Sequence, residues 1–212
     1  MGKTAILGSS FNPPHNGHLR LAAGCADFLG AGRVLFIPAA EPPHKSSAEY
    51  ASCADRLEMC RLAARCDARF EANDIELRRG GISYTVDTLE ALCRENPREE
   101  FFFLMGADMF LSFDTWKDSR RILTLCRICA VPRGPADESA MLAFAAAKNI
   151  SKDRFLIKNL PLVNISSSQI RQNIKLGLSV VGLVPEAVNR YILEKGLYRG
   201  ISESGAESAY VL

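Results

Sequence analysis

The amino-acid sequence predicts an α/β fold, a doubly wound parallel sheet in a single domain. Short apolar runs alternate with amphipathic stretches along the 212 residues. Such repeated strand–helix–strand units imply a parallel sheet with helices on both faces. The length suits one well-buried core and is short for two, and no linker rich in Pro, Gly or Ser divides the chain. We therefore expect one domain over residues 1–199, followed at 200–212 by a flexible tail without periodicity.

The predicted strands are short, nearly continuous apolar runs, which are typical of strands buried on both faces of a sheet. The most strand-like run, "EFFFLMGAD", contains three consecutive phenylalanines. Strands are predicted at residues 4–8, 33–39, 69–77, 100–108, 127–133 and 154–160.

The predicted helices repeat apolar residues with a period near 3.6 and carry recognisable end signals. Ser52 is a candidate N-cap, Pro97 ends one helix, and Pro185 occupies the first turn of the last helix. Helices are predicted at residues 16–32, 52–66, 85–96, 110–126, 138–149, 167–177 and 185–196; the last two, within 167–195, close the domain.

Composition excludes several classes of protein. The 26 basic and 24 acidic side chains give a net charge of only +2, which argues against a dedicated nucleic-acid binder. No apolar run approaches the ~18 residues that span a bilayer, and the N-terminus lacks the features of a secretory signal. Seven scattered cysteines favour reduced thiols and a cytoplasmic location. Cys126 and Cys129 have a metal-like spacing, but the strand-like run around them favours core residues.

The segment "GSSFNPPHNGH", residues 8–18, follows the first predicted strand. Small residues allow close approach of the backbone to a ligand, and a proline pair stiffens the turn. His15 and His18 fall on one side of a first helical turn, where free amides and the helix dipole favour an anion. A capped helix start with surface histidines is the alternative. The complete string favours a phosphate site.

Three later segments carry further candidate residues. In "ISSSQIR", Ser167 and Ser168 start a helix, and Arg171 lies one turn further on, as a phosphate clamp or as a solvated arginine. Lys45, after "EPPH", is by default a solvated loop lysine. In "MGAD", Gly106 permits close approach, and Asp108 is either a hydrogen-bond acceptor for a ligand or a helix cap.

These motifs together resemble a known family. "GSSFNPPHNGHL" is similar to the signature of the nucleotidyltransferase superfamily, whose core is [ST]-F-[DN]-P-x-H-x-G-H. "PPHK", "ISYTVDTL", "FLMGADMF", Trp116 and "ISSSQIR" are similar, in order, to stretches of the nicotinate-nucleotide adenylyltransferase branch. The likeness covers all but about the last dozen residues. It departs from the family at Ser168, where Thr is usual, but the hydroxyl is kept.

The resemblance implies a Rossmann-like nucleotidyltransferase fold and the transfer of an adenylyl group from ATP to nicotinate mononucleotide. Mg²⁺ would bridge the ATP phosphates with few or no protein ligands, and no protein metal site is expected. The catalytic residues would be His15, His18 and Arg171. The resemblance also implies which residues bind ATP: Gly8, Ser9, Ser10, Phe11, His15, His18, Lys45, Gly106, Asp108, Ser167, Ser168 and Arg171.

Nicotinate mononucleotide would be bound by a separate group, implied by the same resemblance: His44, Lys45, Tyr84, Thr85 and Trp116. Trp116, the single tryptophan, would stack on the pyridine ring, although a core role is its usual explanation. Thr85 begins a helix whose amides would meet the nicotinate carboxylate, which favours the acid over the uncharged amide.

Two alternatives stay open at this point. Another adenylyltransferase of the superfamily, such as pantetheine-phosphate adenylyltransferase, shares the histidine loop but is shorter and is not expected to carry "PPHK" with "SYTVDTL". A non-catalytic nucleotide-binding module is the other, although both histidines and Arg171 are present. The oligomeric state is open between monomer and homodimer.

Overall fold

Six parallel strands form one sheet within residues 2–41, 51–161 and 164–199, the part of the chain that the computed structural model describes. The strand order is β3-β2-β1-β4-β5-β6, and every neighbouring pair is parallel. The strands are β1 (Gly2–Ser9), β2 (Arg33–Pro38), β3 (Phe70–Ala72), β4 (Glu99–Gly106), β5 (Arg127–Val131) and β6 (Phe155–Ile157).

Helices connect the strands and close the fold. Between strands lie α1 (Asn16–Leu29), α2 (Cys53–Ala64), α3 (Ile75–Arg79), α4 (Thr85–Glu95), α5 (Ala107–Leu111), a 3₁₀ helix (Phe113–Thr115), α6 (Ser119–Leu125) and α7 (Pro135–Ala147); α8 (Ser167–Lys175) and α9 (Glu186–Lys195) follow β6. Within the described ranges, no helix is both long and apolar enough to cross a membrane.

The chain begins in the middle of the sheet and moves outward twice. It runs from β1 to β2 and β3 at one edge, then returns to β4, which lies on the other side of β1. The strand order therefore reverses between β1 and β4. In doubly wound sheets ligands bind beyond the carboxyl ends of the strands at this reversal point, so the topology predicts a site beside Ser9 and Gly106.

Two apolar layers cover the sheet, one on each face. Successive strand residues point to opposite faces, so Leu7 packs in the layer with α1, α2, α8 and α9. Ile6 packs in the other layer, against residues of α4, α5, α6 and α7. The predicted doubly wound architecture is confirmed, and Cys126 and Cys129 are buried core residues as expected.

Two predicted elements are wrong in part. The extended segment predicted at 69–77 is only the short strand β3, because α3 begins at Ile75, whose N–H donates to Asn73 Oδ1 at 2.9 Å. The single helix predicted at 110–126 is divided into α5, the 3₁₀ helix and α6. Asp118, at φ 50°, and the extended Trp116 interrupt it. Side chains such as Thr115, whose hydroxyl donates to the Ser112 carbonyl at 2.7 Å, compete here with helical hydrogen bonding.

Other boundaries differ less. β4 ends at Gly106, two residues before the predicted end, β6 is shorter than residues 154–160, and α7 begins three residues early at Pro135. The predicted tail at 200–212 lies outside the described residues.

Candidate active site

The loop that follows β1 is built around a buried phenylalanine. Phe11 has a φ of 45° and is fully buried. Its ring lies 5.6 Å from the Phe36 ring and 4.9 Å from the His18 ring, measured between centroids. This packing holds Phe11 in a left-handed backbone conformation that bulky residues rarely adopt. Because the side chain belongs to the core, Phe11 can meet a ligand only through its main chain.

The two histidines of the loop form a stacked pair. Their ring centroids are 3.7 Å apart. The main-chain N–H of His15 donates a hydrogen bond to His18 Nδ1 at 3.2 Å. Since His18 Nδ1 accepts this bond, the ring proton of neutral His18 is on Nε2. Burial lowers the pKa of His15 to about 4, so His15 is neutral at pH 7.

Gly17, one of the two residues between the histidines, lies close to the His15 ring. A Cβ at this position would lie 3.0 Å from His15 Nδ1, 3.1 Å from His15 Cε1 and 3.8 Å from Ile165 Cβ. A larger residue would therefore force the His15 imidazole to shift by a few tenths of an ångström. The glycine therefore preserves the orientation of His15.

The segment around α8 forms the opposite wall of the loop. Ser166 is the N-cap of α8, and its hydroxyl accepts the Gln169 N–H at 3.1 Å. Ser167 Oγ donates to the Pro13 carbonyl at 2.9 Å, and Arg171 Nη1 donates to the Asn12 carbonyl at 3.0 Å. Predicted residues from both ends of the sequence are thus brought together. Ser168 is exposed on the same first turn.

Gly106 and Asp108 lie at the carboxyl end of β4, beside the β1 loop in the sheet. Asp108 is on the first turn of α5 and is exposed. Its carboxylate is ion-paired with Arg133, which follows β5. Arg133 is not among the residues singled out from the sequence, although it ends the predicted strand 127–133 at the carboxyl edge of the sheet.

The predicted pyridine-binding residues cluster at the start of α4 and before α6. Thr85 is the first residue of α4, and Tyr84, its N-cap, supplies no capping side-chain hydrogen bond. Trp116 is partly exposed; its ring meets Phe103 edge-on at 5.8 Å and lies 5.6 Å from Phe113. Lys117 Nζ lies 4.4 Å from the Tyr84 ring centroid, and this contact joins the two clusters.

Not every predicted residue can be placed. His44 and Lys45 lie outside the described residues. Gly8, Ser9 and Ser10 end β1 or follow it directly, and the Ser9 carbonyl accepts the Ala39 N–H at 2.9 Å. The end of β1 is therefore bonded to the segment that follows β2.

Comparison with known proteins identifies the family. The model of the family "Cytidylyltransferase-like" matches residues 6–173 of the chain. The chain belongs to this cytidylyltransferase-like family. Two curated relatives named "Probable nicotinate-nucleotide adenylyltransferase" come from Geotalea uraniireducens and Geobacter sulfurreducens. They are 39% and 40% identical over 92% of this chain and 98% of their own lengths.

A solved structure supports the fold of this cytidylyltransferase-like protein. The Plasmodium falciparum nicotinic acid mononucleotide adenylyltransferase, complexed with NaAD, aligns with a TM-score of 0.76 at 18% identity. The alignment covers 93% of this chain and 98% of that chain. The predicted resemblance to nicotinate-nucleotide adenylyltransferases is confirmed, and so is the Rossmann-like fold.

The structure adds residues that motif reading missed. Arg56 is almost completely buried and contacts the loops after β1 and β2. Asn12 Oδ1 accepts hydrogen bonds from the Ala51 N–H at 3.0 Å and from the Tyr198 hydroxyl at 2.8 Å. None of these contacts has a local sequence signal, because each joins segments that are distant in the chain.

The donors around the histidine loop suit a phosphate better than a metal ion. They are imidazole N–H, guanidinium and hydroxyl groups, whereas Mg²⁺ prefers oxygen ligands with octahedral geometry. Among the described residues, no group of three or more His, Cys, Asp or Glu side chains could hold a metal ion. These residues fit a Mg²⁺ that is carried by the phosphates of a nucleotide.

Proposed function

We propose that the protein transfers the adenylyl group of ATP to nicotinate mononucleotide, as a step of NAD biosynthesis. The phosphate oxygen of the mononucleotide attacks the α-phosphorus of ATP, and the bond from this phosphorus to the bridging oxygen of the β-phosphate breaks. The products are nicotinate adenine dinucleotide and pyrophosphate. The observation that carries the proposal is the meeting of the histidine loop with Ser167 and Arg171 at the reversal point of the sheet.

The chemistry needs positioning and charge stabilisation more than proton transfer. A phosphate monoester has a second pKa near ~6, so the nucleophile is already ionised at neutral pH. What the protein must supply is an in-line arrangement of two anions and donors for the departing pyrophosphate. No covalent intermediate with the protein is required.

The histidine loop and α8 supply the donors in this proposal. His15 and His18 act as neutral hydrogen-bond donors to phosphate oxygens, because burial keeps the pKa of His15 at about 4 and His18 Nδ1 accepts a main-chain N–H. Arg171 brings the positive charge, with Ser167 and Ser168 beside it at the start of α8. Lys45 is included from the sequence motif.

ATP extends from this loop along the carboxyl edge of the sheet. Gly8, Ser9, Ser10 and the main chain of Phe11 lie against its phosphates, as predicted from the motif. Gly106 allows close approach at the end of β4, and Asp108 accepts a hydrogen bond from the ribose or the adenine amino group once it leaves Arg133. Mg²⁺ carried by the nucleotide would neutralise part of the charge of the phosphates, and the protein would contribute few or no ligands to it.

The pyridine end lies at α4 and Trp116. The nicotinate carboxylate meets the first-turn amides of α4 at Thr85, where the helix dipole favours an anion. Trp116 stacks on the ring, with Tyr84 beside it, and His44 is included from the sequence motif. This arrangement favours nicotinate over nicotinamide mononucleotide. The seven cysteines, all unpaired, are in keeping with a cytoplasmic enzyme.

Pyrophosphate release tests the proposal. The protein is incubated with ATP and Mg²⁺ and, in separate reactions, with nicotinate mononucleotide, nicotinamide mononucleotide or 4′-phosphopantetheine. We expect release chiefly with nicotinate mononucleotide and loss of the reaction when Mg²⁺ is chelated. Release with 4′-phosphopantetheine alone would show that the protein has another activity of the superfamily. No release with any acceptor would favour a non-catalytic nucleotide-binding module.

The histidine variant His18→Ala is expected to lower turnover by about 100-fold, because a donor to the transition state is removed, while circular dichroism stays that of the wild type. Collapse of the fold in this variant would instead assign His18 a structural role.

A further inference from the structure

A buried arginine joins the loops that surround the candidate site. Arg56, in α2, is only 2% exposed. Nε donates to the Ala51 carbonyl at 3.2 Å, and Nη1 donates to the Ser10 carbonyl at 2.9 Å and the Ala39 carbonyl at 2.6 Å. Nη2 donates to the Ala40 carbonyl and to Cys53 Sγ, both at 3.2 Å. These five contacts match the five N–H donors of a guanidinium.

The acceptors belong to the segments that carry the predicted substrate contacts. Ser10 lies in the histidine loop, whereas Ala39 and Ala40 follow β2 and lie on the way to the "PPHK" motif. Ala51 directly precedes α2, and its own N–H donates to Asn12 Oδ1. One guanidinium therefore fixes three segments against each other through main-chain atoms.

A second pair of hydrogen bonds extends the connection to the pyridine side. The Ala40 N–H donates to Ser83 Oγ at 2.8 Å, and the Ser83 N–H donates to the Glu41 carbonyl at 3.0 Å. Ser83 immediately precedes Tyr84 and Thr85. A continuous path thus runs from the phosphate loop through Arg56 to the start of α4.

The buried carboxyl of Glu76 interacts electrostatically with the buried charge of Arg56. Glu76, in α3, is 7% exposed, and Thr88 donates to its Oε1 at 2.6 Å. Burial raises the pKa of the Glu76 carboxyl, while hydrogen bonds from Thr88 and Ser83 and the charges of Arg79 and Arg56 act in the opposite direction. The Arg56 guanidinium itself is buried and bonded chiefly to main-chain carbonyls.

We propose that Arg56 is a positioning residue that sets the separation between the phosphate loop and the pyridine-side segment. This inference rests on the proposed function, because the two segments would hold the two reacting nucleotides. Arg56 touches main-chain atoms of the loops and reaches the substrates only through them. Since in-line attack needs the reacting atoms within about 3.5 Å, a displacement of about 1 Å costs roughly 100-fold in rate.

Lysine cannot replace Arg56 in this role. Its ammonium has three donors on one atom, whereas the five acceptors around Arg56 surround a planar fork. Arg56→Lys keeps the charge and Arg56→Met keeps most of the volume. Arg61→Lys and Arg61→Met are matched controls, because Arg61 lies on the same helix with a side chain 55% exposed and paired with Glu58.

The test combines steady-state kinetics with hydrogen exchange, both measured well below the melting temperature of the weakest variant. We expect Arg56→Lys to lower kcat by about 100-fold and to raise KM for both nucleotides. We also expect faster amide exchange in residues 8–14, 36–41 and 82–86, with β5 unchanged. The Arg61 variants should stay within twofold of the wild type.

A loss of thermal stability with kcat and KM unchanged would overturn the proposal, and so would unchanged exchange in the three segments. Ser83→Ala provides a test that does not depend on the folding of Arg56 variants. It should raise KM for nicotinate mononucleotide several-fold and leave KM for ATP unchanged; wild-type kinetics would contradict the proposed path. Absence of pyrophosphate release by the wild type would refute the proposed function. The hydrogen-exchange data alone would then decide whether Arg56 holds the three segments in place.

Discussion

Acidification should weaken the fold through His15, because this imidazole is buried in its neutral form. Burial lowers the pKa of His15 from 6.5 to about 4. Between these values the unfolded chain binds a proton that the native protein does not bind, so the free energy of unfolding falls as the pH falls. The slope is about 1.4 kcal/mol per pH unit, and the window of about 2.5 units gives a total near 3 kcal/mol.

The surroundings of His15 explain why its protonated form is disfavoured. Its Nδ1 is buried and has no hydrogen-bond partner among the described residues. Its ring stacks on His18, with 3.7 Å between centroids, so a charge on one imidazole opposes a charge on the other. A proton on Nδ1 would be buried without an acceptor.

Urea unfolding at several pH values, followed by circular dichroism, measures this effect in the wild type and in His15→Gln. The wild type should lose about 3 kcal/mol more than the variant between pH 7 and pH 4. Asp55 and Asp67, whose pKa values are lowered chiefly by side-chain hydrogen bonds from Ser52 and Arg69, lose their contribution at lower pH and are common to both proteins. Parallel pH profiles for the two proteins would show that His15 does not weaken the fold on acidification.

Three other substitutions probe the site by independent means. Gly17→Ala places a Cβ 3.0 Å from His15 Nδ1 and should lower kcat about tenfold with unchanged circular dichroism. Gly32→Ala, whose Cβ would meet nothing within 4 Å, is its control. Tyr198→Phe removes the bond to Asn12 Oδ1 and should cost about 1 kcal/mol of stability in urea unfolding; an unchanged midpoint would show that the bond contributes nothing. Trp116→Leu should raise KM for nicotinate mononucleotide roughly fivefold, since stacking contributes about 1 kcal/mol, and leave KM for ATP unchanged; equal effects on both would assign Trp116 to the core.

The sequence predicted the sheet well because its strands carry strong apolar signals. β4 contains Phe101, Phe102 and Phe103, which point alternately into the two layers, and β1, β2 and β5 are similar runs. Parallel strands buried on both faces leave little ambiguity with surface helices. The family followed from motifs that occur in order along nearly the whole chain.

The elements that were predicted wrongly depend on single hydrogen bonds or on tertiary packing. The start of α3 depends on the Asn73 side chain, which accepts the Ile75 N–H. The break before α6 accompanies the packing of Trp116 against Phe103 and Phe113. Hydrophobic periodicity predicts neither feature, since the first is a side-chain hydrogen bond to the main chain and the second is a tertiary contact.

The histidine motif specifies a chemistry, but distant residues specify its geometry. The Asn12 carbonyl accepts from Arg171, the Pro13 carbonyl from Ser167, and Asn12 Oδ1 from Tyr198. The sequence separations of these pairs are 159, 154 and 186 residues. Arg56, from a third region, donates to the carbonyl of Ser10, two residues before Asn12. Because each contact satisfies a main-chain or amide group of the loop, a chain that kept the motif and lost these partners would keep the donors without their alignment. Motif identity is therefore evidence for the reaction class, whereas the rate depends on buried contacts that the motif does not contain.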